Sequence, residues 1–247
     1  MQFPRPKLII SDFDGTMTHG HKLTHHFPQI LELCHSHQIP FIVHTGRSIS
    51  WAHFLVTHYD EIPFALAEGG GVYVGRDNRN LLKEAYLVTK EEREKLARIS
   101  KEIVTKFNIS LSADSLGRVT DRAIELRDLS NQDQKLVELI KDYFTENNVT
   151  YSQSNVHLNF WVGDVDKYKG LLFFLKKEYP AVNLEDIWFF GDSMNDEPMF
   201  EKLPFAVGVS NISAVMDKLS KPPTIVLEGV ENEGPMGVLR FLKSNLK

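Results

Sequence analysis

Two carboxylates stand two residues apart in the segment Asp12-Phe13-Asp14-Gly15-Thr16, directly after the apolar run Leu8-Ile9-Ile10. In an extended segment alternate side chains share a side, so Asp12 and Asp14 can point the same way. Acids that close repel each other unless a cation lies between them or one is protonated. The pair therefore implies hard oxygen ligands for Mg²⁺, with one carboxylate left free to attack phosphorus. A polar turn whose acids merely cap a helix is the plainer alternative for this block alone.

Three further blocks supply complementary chemistry. Thr45-Gly46-Arg47 follows the apolar run Phe41 to His44, and a hydroxyl with flexible backbone at a strand end can donate to a phosphoryl oxygen. Lys167 and Lys169 compete as a cation at the mouth of a helix. Four, seven and eight residues after Lys167 come Leu171, Phe174 and Leu175, an apolar face. The same count from Lys169 reaches Phe173, Lys176 and Lys177, so phase favours Lys167. Gly191-Asp192-Ser193-Met194-Asn195-Asp196 follows the apolar run Ile187 to Phe190. Here Asp192 is a third hard ligand, and Asp196 is placed to hold metal-bound water or the lysine, although the cluster could also be an N-cap. All four blocks are expected to follow strands of one sheet, where α/β folds gather their ligands.

The elements that must position these groups are legible as alternating apolar runs and helical stretches. Strands are expected at Leu8–Ile10, Phe41–Val43, Phe64–Leu66, Ile187–Phe190 and Phe205–Val209. Helices are expected at Phe27–His37, Ser50–Thr57, from Lys167 and from Glu197. The order predicts an α/β fold, a doubly wound Rossmann-like parallel sheet. The middle of the chain differs in texture. A capping box at Thr89 and Glu92 opens an amphipathic helix to about Phe107, and a second is expected from Ser130 to about Asn147. Half-exposed strands at Ala123–Arg127, Tyr151–Ser154 and Leu158–Val162 predict an open-faced sheet with its helices on one side. The reading is a core of residues 1–81 and 163–247 with an inserted α+β cap at 82–162.

Taken together, the blocks resemble the haloacid dehalogenase-like superfamily of phosphohydrolases: DFDGT at Asp12, TGR at Thr45, a lysine near 167 and GDSMND at Asp192. The continuation from Asn195 to Asn211 resembles it too, and the insertion is similar to the large type-two cap of sugar-phosphate members. The resemblance implies a magnesium-dependent phosphatase acting on a small phosphorylated metabolite through an aspartyl-phosphate on Asp12. It further implies that Asp14 protonates the leaving oxygen and lends its main-chain carbonyl to the metal. Thr45, Gly46 and Lys167 would bind the phosphoryl group, Asp192 would complete the Mg²⁺ site, and Asn195 and Asp196 would support it. Retaining Asp14 as a general acid favours phosphate esters over halides. A phosphomutase or phosphotransferase of the same family is the nearest alternative. A phosphorylation-controlled signalling switch, with its own Asp, Thr and Lys around Mg²⁺, is the alternative of a different class. Relatives often carry Asn-Gly where this chain has Glu68-Gly69-Gly70-Gly71, and Glu68 is expected to disfavour a second phosphate nearby.

Composition bounds the rest. With 247 residues, 42% hydrophobic, net charge −5 and pI near 6.1, the chain lacks the basic excess of a nucleic-acid binder. Cys34 is the only cysteine, and no apolar run reaches bilayer length, so a cytoplasmic protein without a membrane or nucleic-acid partner is expected. The histidines His19, His21, His25 and His26 show no ligand periodicity and read as a polar loop. Trp188-Phe189-Phe190 reads as core strand rather than a stacking platform. In the cap, Arg118, Arg122, Arg127, His157 and Asn159 are candidates for reading the non-reacting part of a substrate. Oligomeric state has no signal in the sequence.

Overall fold

The chain enters its sheet through β1 (Leu8–Ser11), which is buried along its whole length. A short hairpin of β2 (Thr18–His19) and β3 (Lys22–Leu23) leads to helix α1 (His26–Ser36). Then follow β4 (Phe41–His44), α2 (Ile49–His58), β5 (Phe64–Ala67), β6 (Val72–Arg76) and β7 (Leu82–Tyr86). The middle comprises α3 (Lys90–Phe107), β8 (Asp121–Glu125), α4 (Gln134–Glu146), β9 (Thr150–Gln153) and β10 (His157–Trp161). The last part holds α5 (Lys167–Glu178), β11 (Ile187–Gly191), α6 (Glu197–Lys202), β12 (Phe205–Gly208), β13 (Ile225–Val226) and α7 (Gly234–Asn245). The structure, a computed structural model, describes residues 4–20, 22–126, 134–153 and 157–246. His21, Arg127, the expected helix start at Ser130 and the expected strand end at Ser154 lie outside them.

Eight strands form the large sheet in the order β13-β12-β11-β1-β4-β5-β6-β7. From β13 to β5 all pairings are parallel, whereas β6 and β7 add antiparallel on the far edge. The chain builds outward from β1 through β4 and β5, and later returns to build the other way through β11. Strand order therefore reverses between β1 and β11, which opens a crevice at their carboxyl ends. Side chains alternate across the sheet as a doubly covered fold requires. Ile9 faces a layer of α1, α2 and α7, while Leu8 and Ile10 face α5 and α6. Trp188, Phe189 and Phe190 are fully buried core residues, as their run suggested.

The second sheet, β8-β10-β9, is antiparallel. Ile124, Leu158 and Phe160 pack from one face onto Leu96, Ile99 and Ile103 of α3 and Ile140 and Phe144 of α4. The capping box that starts α3 is present: the Thr89 N–H donates to Glu92 (2.8 Å), and the Glu92 N–H donates to Thr89 Oγ1 (3.2 Å). The sheet is thus an α+β unit with its own apolar core and its other face free for the crevice. Residues 82–86, read from sequence as the start of the insertion, pair in the large sheet as β7.

Candidate active site

The main chain leaving β1 stays tied to β11, because the Asp12 N–H donates to the Phe190 carbonyl (2.8 Å). This places Asp12 at the strand reversal with its carboxylate buried. Lys167, also buried at the first turn of α5, donates to Asp12 Oδ1 (2.5 Å) and Asp196 Oδ1 (2.6 Å). The other Asp196 oxygen accepts the main-chain N–H groups of Asp192 and Ser193, each at 3.0 Å. Asp192 in turn accepts from the Thr16 hydroxyl (2.9 Å) and the Asn211 amide (2.8 Å). Gly15 runs directly beneath it with φ +82°, where a Cβ would lie 2.2 Å from Asp192 Oδ2. Only glycine meets both demands.

Lys169 is the exposed member of the lysine pair and bonds to Asp164 and Asp166. Lys167 reaches the site by a different route from the one expected. The strand before it, β10, belongs to the small sheet, so the lysine arrives on a helix from the second sheet. Its approach depends on Gly70 (φ +102°) and Gly170 meeting backbone to backbone. A Cβ on Gly170 would come within 2.4 Å of Gly70 Cα.

Three carboxylates crowd one ammonium. Burial pushes the Asp12 carboxyl well above the usual range, and the neighbouring Asp196 and Asp192 add to this against the pull of Lys167. Burial and Asp196 push Asp192 up to about 7. Lys167 would lose its proton to burial, but Asp12 and Asp196 outweigh that and hold it above its ordinary value. Ligand atoms of Asp12, Asp192 and Asp196 all lie within 4.8 Å of one another. This excess of hard negative oxygen fits a divalent cation such as Mg²⁺. Asp196 is already occupied by Lys167 and three donors near residue 193, so Asp12 and Asp192 are the side chains with capacity to ligate.

Asp14 stands apart from that cluster. Its carboxylate takes a two-pronged ion pair from Arg47, Nε to Oδ2 (2.7 Å) and a terminal nitrogen to Oδ1 (2.6 Å). The guanidinium lies 4.1 Å from the Trp51 ring centroid, which fixes its plane. Thr45 is buried at the end of β4 and accepts from the Arg47 N–H (3.0 Å), which leaves its own hydroxyl hydrogen to donate.

A cavity of about 270 Å³ opens between the two sheets beside Lys167. Gly46, Glu68 and Asn195 line it from the large sheet, and Asp121, Ser152, Asn159 and Trp161 from the small one. Of the cap candidates, Asn159 faces this space. Arg118 turns instead onto Asp114 and Asp121 and reaches the Gly46 carbonyl (3.2 Å). Arg122 donates to the Asp121 carbonyl, and His157 pairs with Glu125. Three partnerships escaped the sequence reading: Thr16 and Asn211 on Asp192, Arg47 on Asp14, and Glu68 with Val119 and Thr120. Thr16 and Asn211 stand within the quoted stretches, but nothing local indicates which distant carboxylate they hold.

Residues 9–116 and 62–224 match the sequence model of a family described as haloacid dehalogenase-like hydrolase. A haloacid dehalogenase-like hydrolase of Bacteroides thetaiotaomicron is similar in fold, with TM-score 0.74 and 15% identity over 96% of this chain and 100% of that one. A Thermoplasma acidophilum protein gives 0.73 and 17% over 98% and 99%. A second Bacteroides thetaiotaomicron protein, described among the phosphatases of the superfamily, gives 0.64 and 18% over 97% and 96%. No curated protein sequence matches the chain.

Proposed function

Because the chain belongs to the haloacid dehalogenase-like hydrolases, we propose that it is a magnesium-dependent phosphatase of a small phosphorylated metabolite. The observation that carries this reading is the buried Asp12 carboxylate, beside Asp192 and held by Lys167, which itself lines the cavity. Asp12 attacks phosphorus, the phosphorus–oxygen ester bond breaks, and the leaving oxygen takes a proton from Asp14. The Asp14 carboxylate then accepts a proton from water, whose oxygen attacks phosphorus. The bond to Asp12 breaks, inorganic phosphate leaves and the nucleophile is regenerated. Before serving as an acid Asp14 must turn out of the Arg47 fork, which engages both of its oxygens. Thr45, Gly46 and Lys167 hold the phosphoryl oxygens, with Asn195 and Asp196 in support. Bound Mg²⁺, with Asp12, Asp192 and the Asp14 carbonyl as ligands, would supply charge neutralisation.

The cavity wall supports an uncharged leaving group such as a sugar over a phospho-acid. Asp121 and Asp166 line it together with Lys167, and Trp161 offers an apolar surface. A phosphate-release screen over phosphorylated metabolites tests the reading. The wild type is expected to hydrolyse sugar phosphates with Mg²⁺, and Asp12→Asn to fold while losing turnover by about a thousandfold or more. A folded, metal-loaded wild type that released no phosphate from any ester would refute it.

A further inference from the structure

Glu68 is a charged residue that is almost completely buried, set in left-handed backbone at φ +53° just past β5. Among the described residues, both of its carboxylate oxygens accept hydrogen bonds. Oε1 accepts from the N–H groups of Ile49 (3.0 Å) and Val119 (3.1 Å). Oε2 accepts from Val119 N–H (3.0 Å), Thr120 N–H (2.5 Å) and the Thr120 hydroxyl (2.6 Å). Ile49 opens α2 of the large layer, whereas Val119 and Thr120 lead into β8 of the cap. With its oxygens so engaged, Glu68 has little left for a substrate.

We propose that Glu68 is a positioning residue that fixes the cap wall of the cavity against the catalytic loop. Its main chain holds one side: Glu68 N–H donates to the Arg47 carbonyl (2.9 Å), and Gly69 N–H to that of Thr45 (3.2 Å). Its side chain holds the other, the segment Gly117–Asp121. That segment seats closely. A Cβ on Gly71 would lie 2.3 Å from Thr120 Oγ1, and one on Gly117 2.6 Å from Ser50 Oγ. Through it Glu68 sets Arg118, which spans Gly46 and Asp121, and Asp121 on the cavity wall. A carboxylate is required rather than an amide, because acceptors are needed on both oxygens. Glutamine in either orientation would turn its NH₂ toward a main-chain N–H. Negative charge at the start of α2 adds a favourable helix-end interaction.

The test is Glu68→Gln, with Thr120→Val as a second variant that removes one donor and keeps the shape. Amide exchange at Val119 and Thr120 is expected to rise about tenfold in Glu68→Gln and less in Thr120→Val, as loss of one or two hydrogen bonds implies. The activity arm rests on the proposed phosphatase reading. There kcat/KM should fall about tenfold further for the best ester of the screen than for acetyl phosphate, whose small leaving group makes little use of the cap wall. Unchanged exchange at both amides would overturn the assignment, as would equal losses for both substrates. If Glu68→Gln fails to fold, Thr120→Val carries the same two measurements. If the wild type turns over no ester, the phosphatase reading falls and amide exchange alone decides the role of Glu68.

Discussion

Single residues at the centre are defined by a charge imbalance. Asp192, pushed up to about 7 by burial and Asp196, holds its proton more readily in the folded state than in the unfolded one. The stability it contributes is full below about pH 4, its unfolded range, and is lost as pH rises through about 7. A divalent cation needs the ionised form, so binding releases protons and strengthens with pH. The rise in thermal midpoint on adding Mg²⁺ is therefore expected to be larger near about pH 8 than near about pH 6. A pH-independent rise would remove Asp192 from the ligand set. The acidic residues were legible because each sits where a buried apolar run stops. Their hydrogen-bond partners were not. Arg47 on Asp14, Asn211 on Asp192 and Glu68 on Thr120 join residues far apart in the chain, and no local period encodes such a meeting. Glu68 was read as a charge facing substrate, whereas its carboxylate is turned into the contact between sheets.

Among the elements, the central strands and α3 follow from continuous apolar runs and a capping box. The edge pair β6 and β7 was missed because β7 is half-exposed and mixed in composition, as an antiparallel edge strand tends to be. Helix α7 was missed because Gly234, Pro235 and Gly237 obscure its start. Pro235 nevertheless suits a first turn, and Val238, Leu239 and Leu242 supply the buried stripe. The placement of α5 depends on backbone contact rather than side-chain packing. Gly170→Ala would improve helix propensity by about 1 kcal/mol. Its methyl group, however, meets the Gly70 backbone, and overpacking costs about 1–3 kcal/mol. The expected result is a thermal midpoint lowered by a few degrees and a lower kcat as Lys167 is carried outward. A more stable and fully active variant would show that α5 can slide without consequence.

At the scale of the molecule, two apolar cores lie on either side of the large sheet and a third under the small one, and Gly117–Asp121 is tied to the large-sheet side by the bonds of Val119 and Thr120 to Glu68 and of Arg118 to Gly46. An ideal Cβ at residue 117 would lie 3.5 Å from Ser50 Cβ, within the range a disulfide needs. Ser50→Cys with Gly117→Cys, oxidised in the Glu68→Gln background, is expected to restore the lost preference for the larger ester, and reductant to abolish it again. Cys34 will not interfere, because it is buried and its thiol is pushed up to about 12. Failure of the tether to restore preference would mean that the carboxylate contributes more than mechanical attachment.

The reversal of strand order beside β1 also bears on how the chain is made. During synthesis β1 can pair with β4 early, but its other flank waits for β11, which begins only at residue 187. Until then the strand at the heart of the finished sheet is an open edge, a template for stray pairing on a nascent chain. Asp12 meanwhile lacks Lys167, its future counter-ion 155 positions downstream. A half-translated polypeptide thus has no assembled centre, and catalytic competence arrives late, together with closure of the sheet.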